Sequence, residues 1–280
     1  MPLPQQRGPE HAGQPLGTIA PGGASPASLY IHVPFCFHKC HYCDFYSIVD
    51  NRDRQEAFAQ RLVCELRALA RHAGPLRTIF VGGGTPTLLR RDLWSDLLQS
   101  IDTQFERTED AEFTVECNPE TADPALFDTL RTGGVNRLSI GAQSFNPTHL
   151  KSLERWHDPA NVGRAIRMAR QAGIERLSVD LIYAIPGQTL DEWDDDVRRA
   201  LDLGVGHLSC YNLTYEPNTA MTKRLDRGEF VPTQEDIEIA MFERAAERAA
   251  TAGLRRYEIS NYAADAQACR HNLAYWRQES

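Results

Sequence analysis

Residues 29–45 read LYIHVPFCFHKCHYCDF, an apolar run that ends in three cysteines spaced C-x3-C-x2-C. Cys36, Cys40 and Cys43 are three of the chain's seven cysteines. Three thiolates in one loop can hold three irons of a cubane [4Fe–4S] cluster and leave the fourth iron without a protein ligand. Such an open iron can bind a small molecule, which a closed four-cysteine site cannot. The loop therefore predicts an iron–sulfur site.

Zinc is the main alternative for this loop. His38 and His41 lie between the cysteines, and zinc accepts mixed sets of cysteine and histidine ligands. Zinc motifs usually pair two cysteines with a second, distant pair, which favours the cluster. A disulfide is disfavoured because this odd-numbered set leaves one thiol over and nothing else in the sequence is typical of a secreted protein. The loop by itself leaves zinc open.

The composition is that of a globular protein with a sizeable core. The chain has 280 residues, of which 42% are hydrophobic, and a net charge of −8 at pH 7. This charge disfavours nucleic-acid binding, and no apolar run approaches the ~18 residues of a membrane span. Residues 1–27 are rich in Pro, Gly, Ala and Gln, show no targeting-peptide pattern and are predicted to be disordered. The thiols indicate a reducing cytoplasm.

From Ser28 onward, short β-rich runs alternate with longer amphipathic ones. Six βα units in succession predict an α/β fold with parallel strands joined by right-handed crossovers. Closed or nearly closed, they make a partial (β/α)6 TIM-like barrel whose chemistry lies at the carboxyl ends of the strands. The strands are predicted near 28–32, 76–81, 112–117, 136–140, 176–182 and 206–212. The helices are predicted near 53–73, 91–104, 123–132, 159–172, 190–203 and 233–252.

Unusual residues stand at the ends of these strands. Residues 82–85 read GGGT after the second strand, where glycines let the backbone approach a ligand, although a plain tight turn is the alternative. Glu116 ends the third strand and Asp180 stands inside the fifth, and a carboxylate in a buried strand is costly unless something pairs with it. Gln143 follows the fourth strand. Arg155 could bind a carboxylate in bidentate fashion or form a surface salt bridge.

The cysteine loop and the segment GGGTPT together resemble radical S-adenosylmethionine (SAM) proteins. The resemblance is to the branch that contains oxygen-independent coproporphyrinogen III dehydrogenase and the HemW-type heme chaperones. In that superfamily, SAM chelates the open iron, and its reductive cleavage can give a 5'-deoxyadenosyl radical. The resemblance implies that Cys36, Cys40 and Cys43 hold the cluster. It implies a SAM site made by Tyr30, Tyr42, Gly83, Gly84, Thr85, Glu116, Gln143, Arg155, Asp180 and Thr214.

Residues 271–276 read HNLAYW and are similar to the H-N-x-x-Y-W motif associated with heme binding in HemW-type chaperones. His271 is therefore the expected heme ligand, since imidazole is a common ligand of heme iron. Tyr275 and Trp276 could contact the macrocycle. Cys269 is a second, less supported candidate ligand. The alternative for His271 is a hydrogen-bonded structural histidine.

The resemblance includes two functions, heme chaperone and coproporphyrinogen III dehydrogenase, and the sequence favours the first. The dehydrogenases typically carry one more cysteine after the triad, where this chain has Phe45. This departure and the HNLAYW segment favour a chaperone that binds the cluster, SAM and heme and passes heme to an acceptor protein, with a reductant protein as a further partner. SAM cleavage stays undecided, and porphyrinogen decarboxylation is not expected. The alternatives are the dehydrogenase itself and a zinc-stabilised barrel without a redox role.

The resemblance covers roughly residues 28–276. It assigns the barrel to residues 28–252 and the start of a C-terminal region, which carries the HNLAYW segment, to residues 253–280. Chains of this family continue into a smaller C-terminal domain. We therefore expect the sequence to be part of a longer chain; the alternative is that this domain is absent.

Overall fold

The computed structural model describes residues 25–279, so the tail predicted for residues 1–27 lies mostly outside the described residues. Backbone hydrogen bonds from Gly74 to Pro26 and from Arg77 to Ala27 already connect this entry segment to the barrel. The strands are β1 Ser28–Val33, β2 Phe35–Cys36, β3 Ile48–Val49, β4 Leu76–Gly83, β5 Arg107–Cys117, β6 Arg137–Gln143, β7 Arg176–Tyr183, β8 His207–Asn212, β9 Arg255–Arg256 and β10 Asn261–Ala263.

Helices alternate with the long strands as the sequence pattern predicts. They are α1 Gln55–Ala70, α2 Arg91–Gln104, α3 Pro124–Thr132, α4 Pro147–Ser152, α5 Ala160–Gln171, α6 Leu190–Asp202, α7 Ala220–Asp226, α8 Glu235–Thr251 and α9 Arg270–Trp276. The six predicted helices are confirmed, whereas the short α4, α7 and α9 were not predicted. Two short 3-10 turns, Pro86–Leu88 and Pro119–Thr121, follow β4 and β5.

Eight strands form one sheet in the order β1-β4-β5-β6-β7-β8-β10-β9. The first six run parallel and in chain order, which confirms the prediction of successive βα units. The last two are added antiparallel, β10 against β8 and β9 against β10. Within residues 25–279, β1 and β9 are the two edge strands of the sheet and do not pair with each other, so the barrel is partial.

The two faces of this sheet differ in chemistry. Alternate residues such as Ile79, Val115 and Val179 point towards the helices and form the main apolar core. The opposite, inner face is polar. Strand register aligns inner-face residues across the sheet, including Thr114 with Arg137 and Glu116 with Ser139. Buried polar residues of this face are Thr78, Glu112, Thr114, Arg137, Ser139, Ser178, His207 and Ser209.

The segment after β10 lies against this polar inner face. The backbone N–H of His271 donates to Glu112 Oε1 at 3.2 Å, and the Cys269 thiol donates to the same oxygen at 3.5 Å. Arg176 forms an ion pair with the other oxygen of Glu112 at 2.9 Å. Residues of β9, β10 and α9 therefore join the barrel; the proposed boundary at residue 253 stays a prediction. Among the helices of residues 25–279, none has the length and hydropathy that crossing a bilayer requires.

Candidate functional site

The three cysteines of the loop share one local structure. Cys36 ends β2, which pairs in parallel with β3, so the segment between them closes into a loop. The Cys43 N–H donates to the Cys40 carbonyl at 3.2 Å, which turns the chain between these two thiols. All three thiols are free and partly buried. Burial raises the pKa values of Cys36 and Cys43, and nearby donors or cations oppose this rise at each of them.

The two histidines of the loop have other partners. The His38 ring lies flat on Trp156 with the ring centroids 4.3 Å apart. His41 Nδ1 lies 3.5 Å from Nη1 of Arg224. Backbone bonds from His41 to Leu153 and from Met221 to His41 fasten the loop to its neighbours. Both imidazoles therefore help to dock the loop.

The loop fits a multi-iron cluster better than a single zinc ion. Within residues 25–279, no three Cys, His, Asp or Glu side chains converge closely enough to hold one metal ion. A zinc site needs such convergence, because its four ligands surround one atom. In a cubane cluster the thiolates bind different irons, so they do not need to meet at a point. The donor set, three thiols in one partly buried loop, therefore suits the cluster.

The glycine turn after β4 crosses directly over the start of the cysteine loop. Gly84 N donates to the Val33 carbonyl at 2.8 Å, and Thr85 N donates to the Phe35 carbonyl at 2.7 Å. A Cβ at Gly84 would lie 2.7 Å from the carbonyl oxygen of Phe35, so only glycine fits there. The Thr85 hydroxyl donates to the Cys36 sulfur at 3.8 Å. The turn therefore packs against the start of the cysteine loop and contacts one of its thiols.

Two carboxylates lie on the inner face of the sheet, and one of them contacts this turn. Glu116 Oε2 accepts a hydrogen bond from the Gly83 N–H at 3.1 Å. Burial, followed by repulsion from Asp180, raises the pKa of Glu116 to about 7. Asp180 accepts hydrogen bonds of 2.9–3.1 Å from the hydroxyls of Ser139 and Ser178. Burial raises the pKa of Asp180, although these hydroxyls oppose the rise. Paired carboxylates of this kind can accept hydrogen bonds from ribose hydroxyls.

Arg155 connects the end of β6 with the cysteine loop. Its Nη1 donates to the Cys40 sulfur at 3.7 Å, and its Nη2 donates to the Gly141 carbonyl at 3.0 Å. Its Nε is buried, and no partner for it is found among residues 25–279. Among residues 25–279, Arg155 makes these contacts and not the surface salt bridge considered from sequence. A buried guanidinium with a spare donor fits an anionic group such as the SAM carboxylate.

Gln143 adopts a left-handed backbone conformation, with φ of 63°, at the end of β6. The β6–β7 register shifts between Gly141 and Gln143, so the strand bulges where it meets Arg155. Strained non-glycine residues of this kind are concentrated at functional sites. Asp196 supports the bulge from α6, accepting hydrogen bonds of 2.6 Å from the Ser144 hydroxyl and the Phe145 N–H. Asp196 was not predicted from the sequence; its only signal was that, among the acidic residues of α6, it shares the buried face with Trp193 and Val197.

The remaining predicted SAM residues differ in position. Tyr42 packs against the small apolar cluster that includes Leu153 and Met221, and burial raises its pKa. The Tyr30 hydroxyl is 3.1 Å from His32 Nδ1. Thr214 is exposed, two residues past the end of β8. The structure therefore groups the Gly83–Thr85 turn with Glu116, Arg155 and the cysteines, whereas Thr214 is not joined to that group by any of these contacts.

His271 of α9 is buried, with 4% of its surface exposed. Its ring stacks on Phe80 with centroids 5.2 Å apart, and Tyr275 packs edge-on at 5.4 Å. Its Nδ1 is 2.9 Å from the Thr78 hydroxyl. Its Nε2 is buried, and no partner for it is found in the described part of the chain. Cys269 is fully buried against Glu112, which gives no support to its role as a second heme ligand.

Most of the barrel matches a known protein family. The model of the radical SAM superfamily matches residues 30–200, more than half of the chain. The chain therefore belongs to the radical SAM superfamily. This confirms the resemblance inferred from the cysteine loop and the glycine turn.

Within this superfamily, the chain belongs to the family of proteins named heme chaperone HemW. It is 37% identical to the protein of that name from Mycobacterium tuberculosis over 267 residues, covering 93% of this chain and 68% of the relative. It is 39% identical to the one from Escherichia coli, covering 90% of this chain and 66% of the relative. The chain thus spans about two thirds of the length of these relatives.

The fold is also found in a solved structure. The radical SAM enzyme coproporphyrinogen III oxidase (HemN) from Escherichia coli superposes with a TM-score of 0.79 at 26% identity. The match covers 86% of this chain and 56% of that one. The predicted partial TIM-like barrel is therefore confirmed.

Proposed function

We propose that this chain is the barrel of a heme chaperone that binds a [4Fe–4S] cluster, SAM and heme and delivers heme to an acceptor protein. The observation that carries the proposal is the 37–39% identity to HemW relatives over at least 90% of the chain. The proposal includes two partners, an acceptor protein that receives heme and a reductant protein. We assign this heme transfer to the cytoplasm, because the cysteines are free and thiols stay reduced there.

The cluster and SAM would occupy the carboxyl edge of the sheet. Cys36, Cys40 and Cys43 would hold three irons, and the cluster would supply electrons and an open iron for SAM. The spare Nε donor of Arg155 would bind the SAM carboxylate, and the Gly83–Thr85 turn would receive its amino group. Glu116 and Asp180 would accept hydrogen bonds from the ribose or the amine. These side chains bind and orient SAM; none of them is assigned a proton-transfer step.

Heme is proposed to bind at α9 through His271. The Thr78 hydroxyl donates its only proton to Ser28 Oγ at 3.0 Å, so it accepts from His271 Nδ1. The imidazole then carries its proton on Nδ1 and leaves the Nε2 lone pair free, which is the form that binds a metal. Because His271 is buried, iron ligation would require the aromatic cover of Tyr275 and Tyr30 to move.

A coproporphyrinogen III dehydrogenase is the second candidate function. The match to HemN supports it, because both chains share the barrel. Phe45 weighs against it, since this exposed position would carry the additional cysteine of the dehydrogenases. Conversion of coproporphyrinogen III to protoporphyrinogen IX by the reconstituted protein would favour the enzyme over the chaperone.

Hemin titration tests the chaperone directly. After anaerobic reconstitution, we expect about four irons per chain, because one cubane cluster contains four irons. Wild type should then bind hemin with a Soret shift that His271→Ala loses. Since His271 is buried, the exposed Trp276→Ala serves as a second variant, and the exposed His72→Ala serves as the control. Hemin binding by His271→Ala equal to that of wild type would remove the role assigned to His271.

A further inference from the structure

A small cavity with three arginines lies beside α9. Its volume is about 160 Å³, and its lining includes Arg77, Arg270, Arg277, Thr78 and Glu279. Pockets for drug-sized ligands span roughly 300–1,000 Å³. This cavity is therefore too small for a porphyrin ring, but it can hold a carboxylate with a few waters.

The cavity already contains a carboxylate of the chain itself. Glu279 Oε2 is 3.3 Å from Nη2 of Arg77, and its Oε1 is 3.7 Å from Nη1 of Arg277. Arg270 donates from Nη1 to the carbonyl and the carboxylate of Asp110, at 2.6 Å and 3.0 Å. Three guanidinium groups thus face two carboxylates, and each guanidinium has five donors. The cavity keeps a net positive charge and unused N–H groups.

The cavity adjoins the proposed heme ligand. Thr78 lines it, and the Thr78 hydroxyl contacts His271 Nδ1 at 2.9 Å. Arg270 and Arg277 stand at the two ends of the same short helix. Tyr275 and Trp276 of this helix are 68% and 60% exposed, which leaves aromatic surface for an apolar ring.

On the basis of the proposed function, we propose that Arg77, Arg270 and Arg277 bind the propionate carboxylates of heme and that Glu279 occupies their site when heme is absent. Guanidinium groups bind carboxylates with paired, charge-assisted hydrogen bonds. The ion pairs of Glu279 with Arg77 and Arg277 show that both arginines can bind a carboxylate in this cavity. An incoming propionate would displace Glu279, so the chain's own acid competes with the cargo.

The test compares hemin with hemin dimethyl ester, which has no free carboxylates. Wild type should bind hemin about tenfold more tightly than the ester, because charged hydrogen bonds are lost with the ester. Arg77→Gln and Arg277→Gln should each weaken hemin binding about three- to tenfold and leave ester binding unchanged. Glu279→Gln should tighten hemin binding. Arg61→Gln removes an exposed arginine that pairs with Glu65 on α1 and serves as the matched control.

The outcomes separate this inference from the function on which it rests. Equal binding of hemin and its dimethyl ester by wild type would overturn the arginine site while leaving the chaperone intact. The same holds if both glutamine variants bind hemin as tightly as Arg61→Gln does. No binding of either porphyrin by folded wild type would overturn the proposed function together with this site. Because Arg77 and Arg277 are exposed, circular dichroism should show both variants folded.

Discussion

The Nη1 atom of Arg155 lies 3.7 Å from the Cys40 sulfur, while its Nη2 donates to the Gly141 carbonyl at the end of β6. One side chain therefore joins the cysteine loop to the strand that ends at the strained Gln143. Burial raises the pKa of Cys36, and the positive charge of Arg155 opposes this rise. The proposed cluster and SAM sites thus share a residue.

Arg155→Lys should separate the two sites. Lysine keeps the charge but loses the planar fork, so it cannot contact Cys40, Gly141 and a carboxylate together. We expect iron content near that of wild type and SAM binding weakened about tenfold or more. Equilibrium dialysis with SAM, alongside iron analysis, measures both. Arg198→Lys, at an exposed pair on α6, is the control; undiminished SAM binding by Arg155→Lys would contradict the assignment.

Gly84→Ala should disturb the glycine turn. The added Cβ would lie 2.7 Å from the carbonyl oxygen of Phe35, so backbone must shift and carry Thr85 away from Cys36. We expect a loss of about 1–3 kcal/mol in the free energy of unfolding and lower iron content. Urea denaturation and iron analysis measure these changes. Gly163→Ala in α5 meets only the tips of side chains and should be neutral or stabilising. Wild-type iron content in Gly84→Ala would contradict the predicted crossing.

Glu116 should make the stability of the cluster-free protein depend on pH. Its pKa is about 7 in the folded chain, against an ordinary value of 4.5. Between these values the folded chain keeps a proton that the unfolded chain has released. The free energy of unfolding therefore falls as pH rises from about 4.5 to about 7 and levels off above that range.

Glu116→Gln removes this contribution. We expect the free energy of unfolding of the variant, relative to that of wild type, to rise by about 1–2 kcal/mol from pH 5 to pH 8. This figure is smaller than the full pKa shift implies, because the carboxyl is partly exposed. Urea denaturation at the two pH values measures it. The exposed Glu247→Gln should follow wild type at both. Parallel pH profiles for Glu116→Gln and wild type would show that the pKa of Glu116 is not raised.

Asp196→Ala should loosen the turn after Gln143. Asp196 is 1% exposed, and its removal leaves the buried Ser144 hydroxyl and Phe145 N–H without their acceptor. We expect a loss of about 2–4 kcal/mol in the free energy of unfolding and weaker SAM binding. Thermal melting and SAM titration report these effects. Asp202→Ala, at an exposed residue of the same helix, should change neither. Unchanged SAM affinity in a folded Asp196→Ala protein would show that Asp196 does not support the proposed SAM site.

The order of strands and helices could be predicted from the sequence because local periodicity encodes it. Short β-rich runs marked β4, β5 and β7, and their parallel arrangement followed from the intervening helices. The cluster loop could also be predicted, since its three thiols lie within one short segment. Short elements such as α7 and α9 have too few residues to show a period, so they were missed.

The role of individual side chains depended on contacts that no local pattern contains. Ser139 and Ser178 hold Asp180 only because register places three neighbouring residues on one face. The HNLAYW segment marks His271 as a candidate heme ligand, yet its sequence does not show that His271 lies buried against Thr78, a residue 193 positions away. Burial and partner choice arise from packing between distant segments. The motif and its chemistry could thus be read from the order of residues, whereas packing fixes which atoms of these side chains stay free to bind.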